Sequence, residues 1–275
     1  MLLALEHIRR MRGGAQAHLM RCSDDGYYVI KFQNNPQHIR ILANELLGTR
    51  LAARLGLPTP QVEVVEVREE LIANTADLVM QLGMSRARCH AGFQFGSRYP
   101  GDPGEVTVHD FLPDEQLRGV ANVADFLGML VFDKWACNTN GRQAIFFRPD
   151  ASGRPAASVA TDSRYQARMI DQGFCFNAGE WSFPDAPLRG LYVRARVYES
   201  VRGMDSFAPW LARLEKKITE PVLDEIGKEV PPEWYGCDQD AFYRLLDHLL
   251  RRRKLVPDLI VAAKNTYRNP FPKWK

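Results

Sequence analysis

The chain has 275 residues, 25% of them charged and 45% hydrophobic, with a formal net charge of +3. That length can bury a sizeable core, and the near-balanced charge lacks the concentrated basic face that a nucleic-acid partner would need. No apolar run approaches the roughly 18 residues required to cross a bilayer, and the first basic residues follow the opening apolar ones, the reverse of a secretory leader. Five scattered cysteines (Cys22, Cys89, Cys137, Cys175 and Cys237) show no C-x-x-C pair. This argues against a disulfide framework or a structural zinc site and points to a reducing cytoplasm.

In chain order, Gly13-Gly14 precedes a strand over Ala17–Arg21, and Asp24-Asp25-Gly26 turns into a second strand, Tyr27–Phe32. Helical spacing of Ile41, Leu42, Leu46, Leu47, Leu51 and Leu55 predicts a helix over 37–55, stopped by Gly56 and Pro58. Gln61–Val67 alternates as a strand. Met84–Gly104, rich in glycine and arginine, reads as an irregular connection, and Val106–Leu112 as a bridge between two halves. A long helix over 117–135 follows, then short strands at Ala144–Phe147 and Arg168–Ile170, separated by a turn-rich stretch from Pro149 to Pro155. Helices are predicted over 206–217, 221–228 and 239–253. The basic run Arg251–Lys254 reads as a solvated helix end favoured by the macrodipole. The expected fold class is therefore α+β and bilobal, with a β-rich lobe over 1–112 and a mainly helical lobe over 113–275.

Four features stand in the order that phosphoryl transfer from ATP requires. Gly13 and Gly14 would let backbone N–H groups approach phosphate closely, although a plain turn accounts for them equally well. Lys31 lies inside an apolar strand, where an unpaired buried ammonium would be costly. Glu45, 14 residues later on the following helix, could supply its partner. Asp171, in Met169-Ile170-Asp171-Gln172-Gly173-Phe174, follows an apolar strand and precedes a glycine, a suitable carboxylate for Mg²⁺.

Taken together, these segments resemble the HipA-like kinases, especially the compact branch without a long N-terminal extension. The resemblance runs through Gly13-Gly14, Tyr27–Phe32, Asn44-Glu45 to the Gly56-Leu57-Pro58-Thr59-Pro60 stretch, and Phe132–Asn138. It continues with Ile170–Phe174 and Pro231-Pro232-Glu233-Trp234-Tyr235. It implies a bilobal kinase with ATP and Mg²⁺ as ligands and a protein Ser/Thr hydroxyl, or a small-molecule hydroxyl, as acceptor. Val108–Leu112 would then be the hinge that meets adenine, with Asp110 and Leu112 among its residues and Met80 or Leu82 lining the pocket.

The sequence departs from that family at the catalytic segment. Where such kinases carry Asn-x-Asp-Arg and a later metal-binding Asn, this chain reads Asn138-Thr139-Asn140-Gly141-Arg142-Gln143. An amide at Asn140 cannot accept a proton as a carboxylate does. Three readings stay open. Asn140 could merely orient the hydroxyl; Asp133 could supply the missing carboxylate, with Gln143 reaching the metal; or the protein is a nucleotide-binding pseudokinase acting as a regulatory or scaffold module. A plainer role for Asp133 is an ion pair with Arg142.

Overall fold

The computed structural model describes residues 2–148 and 164–275, so the turn-rich stretch expected from Pro149 to Pro155 lies outside the described residues. The N-terminal half is built on β1 (Leu2–Arg10), β2 (His18–Cys22), β3 (Tyr27–Lys31), α1 (Arg40–Leu55) and β4 (Val62–Val67). A short α2 (Glu69–Asn74), a hairpin of β5 (Val79–Leu82) and β6 (Ser85–Arg88), and β7 (Gly92–Arg98) complete it. Five strands close a barrel in the order β1-β2-β3-β7-β4, while β5 and β6 form a separate two-stranded sheet.

Two of the barrel strands were not apparent in the sequence. In β1 the pairing with β2 shifts register between Ala4 and Glu6 and again between His7 and Arg9. Each bulge resets the alternation of faces, so Leu5 and Ile8 point outward and no period of two survives. The stretch expected to be an irregular connection instead contains β7, which pairs with both β3 and β4. Its glycine content has a packing cause: a Cβ on Gly96 would lie 2.5 Å from Val65 Cγ2. Met80 is buried in the barrel core and Leu82 lies exposed in the hairpin.

The second half begins with β8 (Val108–His109), which is hydrogen-bonded to β9 (Gln143–Phe147), itself paired with β10 (Gln166–Ile170). The expected bridge is thus the edge strand of this three-stranded sheet. The single long helix expected over 117–135 is two pieces, α3 (Asp114–Leu117) and α4 (Asp125–Trp135). Asn122 causes the break by exchanging two hydrogen bonds with the main chain of Ala167 at 2.8 and 2.9 Å. Helices α5 (Ala208–Lys217), α6 (Glu220–Gly227), α7 (Gln239–Arg252) and α8 (Val256–Lys264) follow. Among the described residues no helix is long and apolar enough to cross a membrane.

One apolar cluster fills the barrel with Met20, Tyr28, Ile30, Phe32 and Val65. A larger one joins α1 to the C-terminal helices through Leu46, Leu47, Phe132, Trp135 and Leu249. Arg252, expected in a solvated basic run, is instead buried. Its guanidinium caps the end of α4 through the Trp135 and Lys134 carbonyls and pairs with Asp185.

His18 is wholly buried in the barrel, 3.0 Å from His7 and edge-on to Phe32. Burial, aided by His7 and Arg10 and opposed by Asp77, lowers its pKa from 6.5 to about 4. The unfolded chain therefore takes up a proton that the folded chain refuses. Stability should be undiminished above pH 7 and fall as the pH drops toward 4, by up to about 3 kcal/mol from this group. Urea unfolding across that range should show a shallower acid limb for His18→Leu than for the wild type.

Candidate active site

Lys31 is the last residue of β3, opposite Phe95 of β7. Strand alternation sends Tyr28 and Ile30 into the barrel and turns Lys31 toward α1. The lysine is only 8% exposed, so its ammonium needs compensation. Glu45, itself buried, accepts a hydrogen bond from Lys31 Nζ at 2.5 Å, and Asp171 accepts another from the same nitrogen. Burial alone would lower the lysine's pKa; Asp171, then Glu45, outweigh it and hold the pKa above its ordinary value. In turn the Lys31 charge, opposed by burial and aided by Arg142, keeps Asp171 below the usual carboxylate range.

The loop bearing Asp171 is held by α1. Glu45 uses both carboxylate oxygens, accepting from the Gln172 N–H and the Gly173 N–H at 2.9 Å each. A Cβ on Gly173 would lie 2.8 Å from Ile41 Cγ2 and 3.0 Å from the Glu45 carboxylate, so only glycine allows this approach. Asp171 has a left-handed φ of 61°, as do Phe176, Asn177 and Ala178 shortly after it. Asn44, which sequence reasoning gave no role, meets these unusual turns. Its Nδ2 faces the carbonyls of Gly173, Cys175 and Ala178 at 2.7–3.1 Å, and its Oδ1 accepts from Trp181 Nε1. The available signal was an Asn-Glu pair set among the apolar residues of α1, two polar groups where packing wants none.

The segment from Asn138 to Gln143 approaches from the other side. Thr139 donates its N–H to the Phe174 carbonyl, which ties the segment to the Asp171 loop. Asn140 is exposed, and its Oδ1 accepts the Gly141 N–H at 2.9 Å. Gln143 is exposed, and its strand position is opposite Ile170, the residue before Asp171. Asp171 keeps 37% of its side chain exposed, whereas the Asp133 side chain has none.

Asp133 does not present a carboxylate to this opening. One oxygen accepts from Arg142 Nε at 2.8 Å, and the other from Arg142 Nη2 and from Asn138 Nδ2. Of the roles open to Asp133, the ion pair with Arg142 is the one realised. Arg142 is equally enclosed and extends the network, donating to the Ile170 carbonyl and to Gln172 Oε1 at 2.7 Å each. Both residues thus brace the Asp171 loop from beneath. Gly13 and Gly14 occupy the exposed loop between β1 and β2; Asp110 is exposed just after β8, while the Leu112 side chain is packed in the larger core.

Removing one member of such a pair strands a buried charge. Arg142→Leu is expected to cost about 3–5 kcal/mol in urea unfolding, and the double change Asp133→Leu/Arg142→Leu to recover part of that loss. Additive losses would show that the pair is not coupled.

Comparison with known proteins bears on this geometry. A family profile described as HipA-like kinase matches residues 5–146. The crystal structure of the Helicobacter pylori proinflammatory kinase CtkA is similar at 12% identity, with a TM-score of 0.52, covering 94% of this chain and 95% of that one. That likeness shows a kinase fold. Two structures of the Golgi casein kinase, one of them with Mn/ADP bound, are similar at 12% and 13% identity, each with a TM-score of 0.48. They cover 96% and 97% of this chain and 74% of theirs. No curated protein sequence gives a significant match. Since the matched profile spans just over half of its 275 residues, the chain belongs to the HipA-like kinase family.

Proposed function

We propose that the chain is an ATP- and Mg²⁺-dependent phosphotransferase of two lobes, residues 1–112 holding the nucleotide and 113–275 carrying the catalytic segment and the metal-binding carboxylate. The observation that supports this reading is the meeting of Lys31, Glu45 and Asp171, brought together from β3, α1 and the loop after β10. One cation and two carboxylates leave the cluster with an excess negative charge at its exposed member, Asp171. A nucleotide triphosphate alone would be repelled there, so nucleotide and divalent cation would bind jointly. Among the described residues no group of three or more His, Cys, Asp or Glu is placed to hold a metal by itself. That fits Mg²⁺, which commonly takes one or two protein oxygens and fills its shell with phosphate and water.

In this reading Lys31 directs its ammonium at the phosphates while Glu45 retains it. Asp171 and the Gln143 amide oxygen would hold the cation, and its charge would be available to offset that developing on the transferred group. The Gly13 and Gly14 amides cover the phosphates, and the main chain from Asp110 to Leu112 meets the base. Asn140 orients an acceptor hydroxyl on a protein Ser/Thr or a small molecule. Arg142 and Asp133 keep Asp171 in register and touch no ligand. Five free cysteines suit work in a reducing cytoplasm.

One observation favours a second reading, a pseudokinase that binds nucleotide without transferring phosphate: Asn140 offers an amide, and Asp133 has both oxygens committed to Arg142 and Asn138. Incubation with γ-labelled ATP and Mg²⁺, alongside calorimetric titration of ATP, separates the two. The kinase reading expects labelled product, reduced at least 100-fold by Asp171→Ala. ATP binding with no transfer by the wild type would establish the pseudokinase, and absence of ATP binding would remove both.

A further inference from the structure

The loop between β1 and β2 does not rest on the barrel alone. At its C-terminal end Gln16 takes a left-handed φ of 50°, and its side chain reaches the β5–β6 hairpin, a sheet outside the barrel. There it pairs with both main-chain groups of Gln81: Nε2 donates to the Gln81 carbonyl at 2.8 Å, and Oε1 accepts the Gln81 N–H at 2.7 Å. A side-chain amide with one donor and one acceptor thus imitates a neighbouring strand along the outer edge of β5. Arg10, at the other end of the loop, donates to the same Oε1 and closes the arrangement.

The hairpin is a firm support. Leu78, Met80 and Cys89 anchor its base in the barrel core, and the side chain of Gln81 braces its turn through the Gly83 carbonyl and Arg86. The tethered loop is also well placed. His18 pairs with Ile30, so the residue preceding His18 is level with Lys31 at the same end of the barrel. Inside the loop the Gln16 N–H returns to the Gly13 carbonyl at 3.1 Å, so fixing Gln16 fixes the path of Gly13 and Gly14.

We propose that Gln16 is a positioning residue for the nucleotide phosphates, holding the Gly13-Gly14 amides in place beside Lys31 by fastening their loop to the β5–β6 hairpin. This rests on the nucleotide-binding reading above. Gln16 touches no substrate; it lowers the ordering that phosphate binding would otherwise require of a glycine loop. Two neutral hydrogen bonds of ordinary strength correspond to about a tenfold change in affinity.

The test is titration of ATP with Mg²⁺, and separately of adenosine, against the full chain and its Gln16→Ala variant, with melting temperatures of the free proteins recorded. The expected result is an ATP Kd raised about tenfold, an adenosine Kd within twofold of the wild type, and little change in melting temperature. Gln81→Pro approaches the tether from the hairpin side. It deletes the N–H that Gln16 accepts and also the side chain that braces the hairpin turn, so its melting temperature is recorded too; with that unchanged, it should reproduce the ATP-selective loss. Equal ATP affinity in wild type and Gln16→Ala, or an equal loss for ATP and adenosine, would overturn the assignment while leaving the nucleotide reading intact. A wild-type protein that binds neither ligand would overturn both.

Discussion

An ammonium group with 8% exposure sets the terms for the rest of this structure. Lys31 can be withdrawn from water only because two carboxylates reach it, one from the next helix and one from 140 residues further on. The pairing makes the barrel, α1 and the Asp171 loop a single electrostatic unit. A displacement of any one would leave charge uncompensated in a poorly solvated place, a far larger penalty than a lost apolar contact.

Helix α1 works on the Asp171 loop through two consecutive residues. Glu45 takes the N–H groups of Gln172 and Gly173, and Asn44 takes carbonyls from Gly173 to Ala178. Donors and acceptors of one irregular loop are thus satisfied by one turn of a buried helix. Arg142 adds a third hold on Ile170 and Gln172 from the opposite side. Four non-glycine residues with left-handed φ between 171 and 178 persist because so many bonds over-determine them. The consequence is a carboxylate fixed in position.

Much of this was legible in the sequence, and the exceptions have physical causes. Lys31, Glu45 and Asp171 stood out because each violates its local pattern: a cation inside an apolar strand, an acid on a helix of leucines, an aspartate before a glycine turn. Strands β1 and β7 did not, since two bulges erase alternation in the first and the close approach of Val65 puts a glycine where a loop signal is read in the second. The long helix over 117–135 failed at Asn122, whose side chain has a better partner in the main chain of β10 than any helix offers. Arg252 looked like one of four solvated cations because nothing near it in sequence announces Asp185.

The contrast between Asp133 and Asp171 shows how charge divides between fold and chemistry. Both lie on segments that Arg142 joins, and each has an arginine or lysine partner. Asp133 spends three hydrogen bonds on Arg142 and Asn138 and has no exposed side-chain surface, so a ligand has no way to reach its oxygens. Asp171 takes one hydrogen bond from a lysine and keeps more than a third of its side chain open. Its nearness to Asn140 in the sequence made Asp133 a candidate for the missing carboxylate, but folding commits it to Arg142 and leaves Asp171 partly open. For an acid near a candidate site, what remains unpaired after folding decides its role, and that quantity exists only in three dimensions.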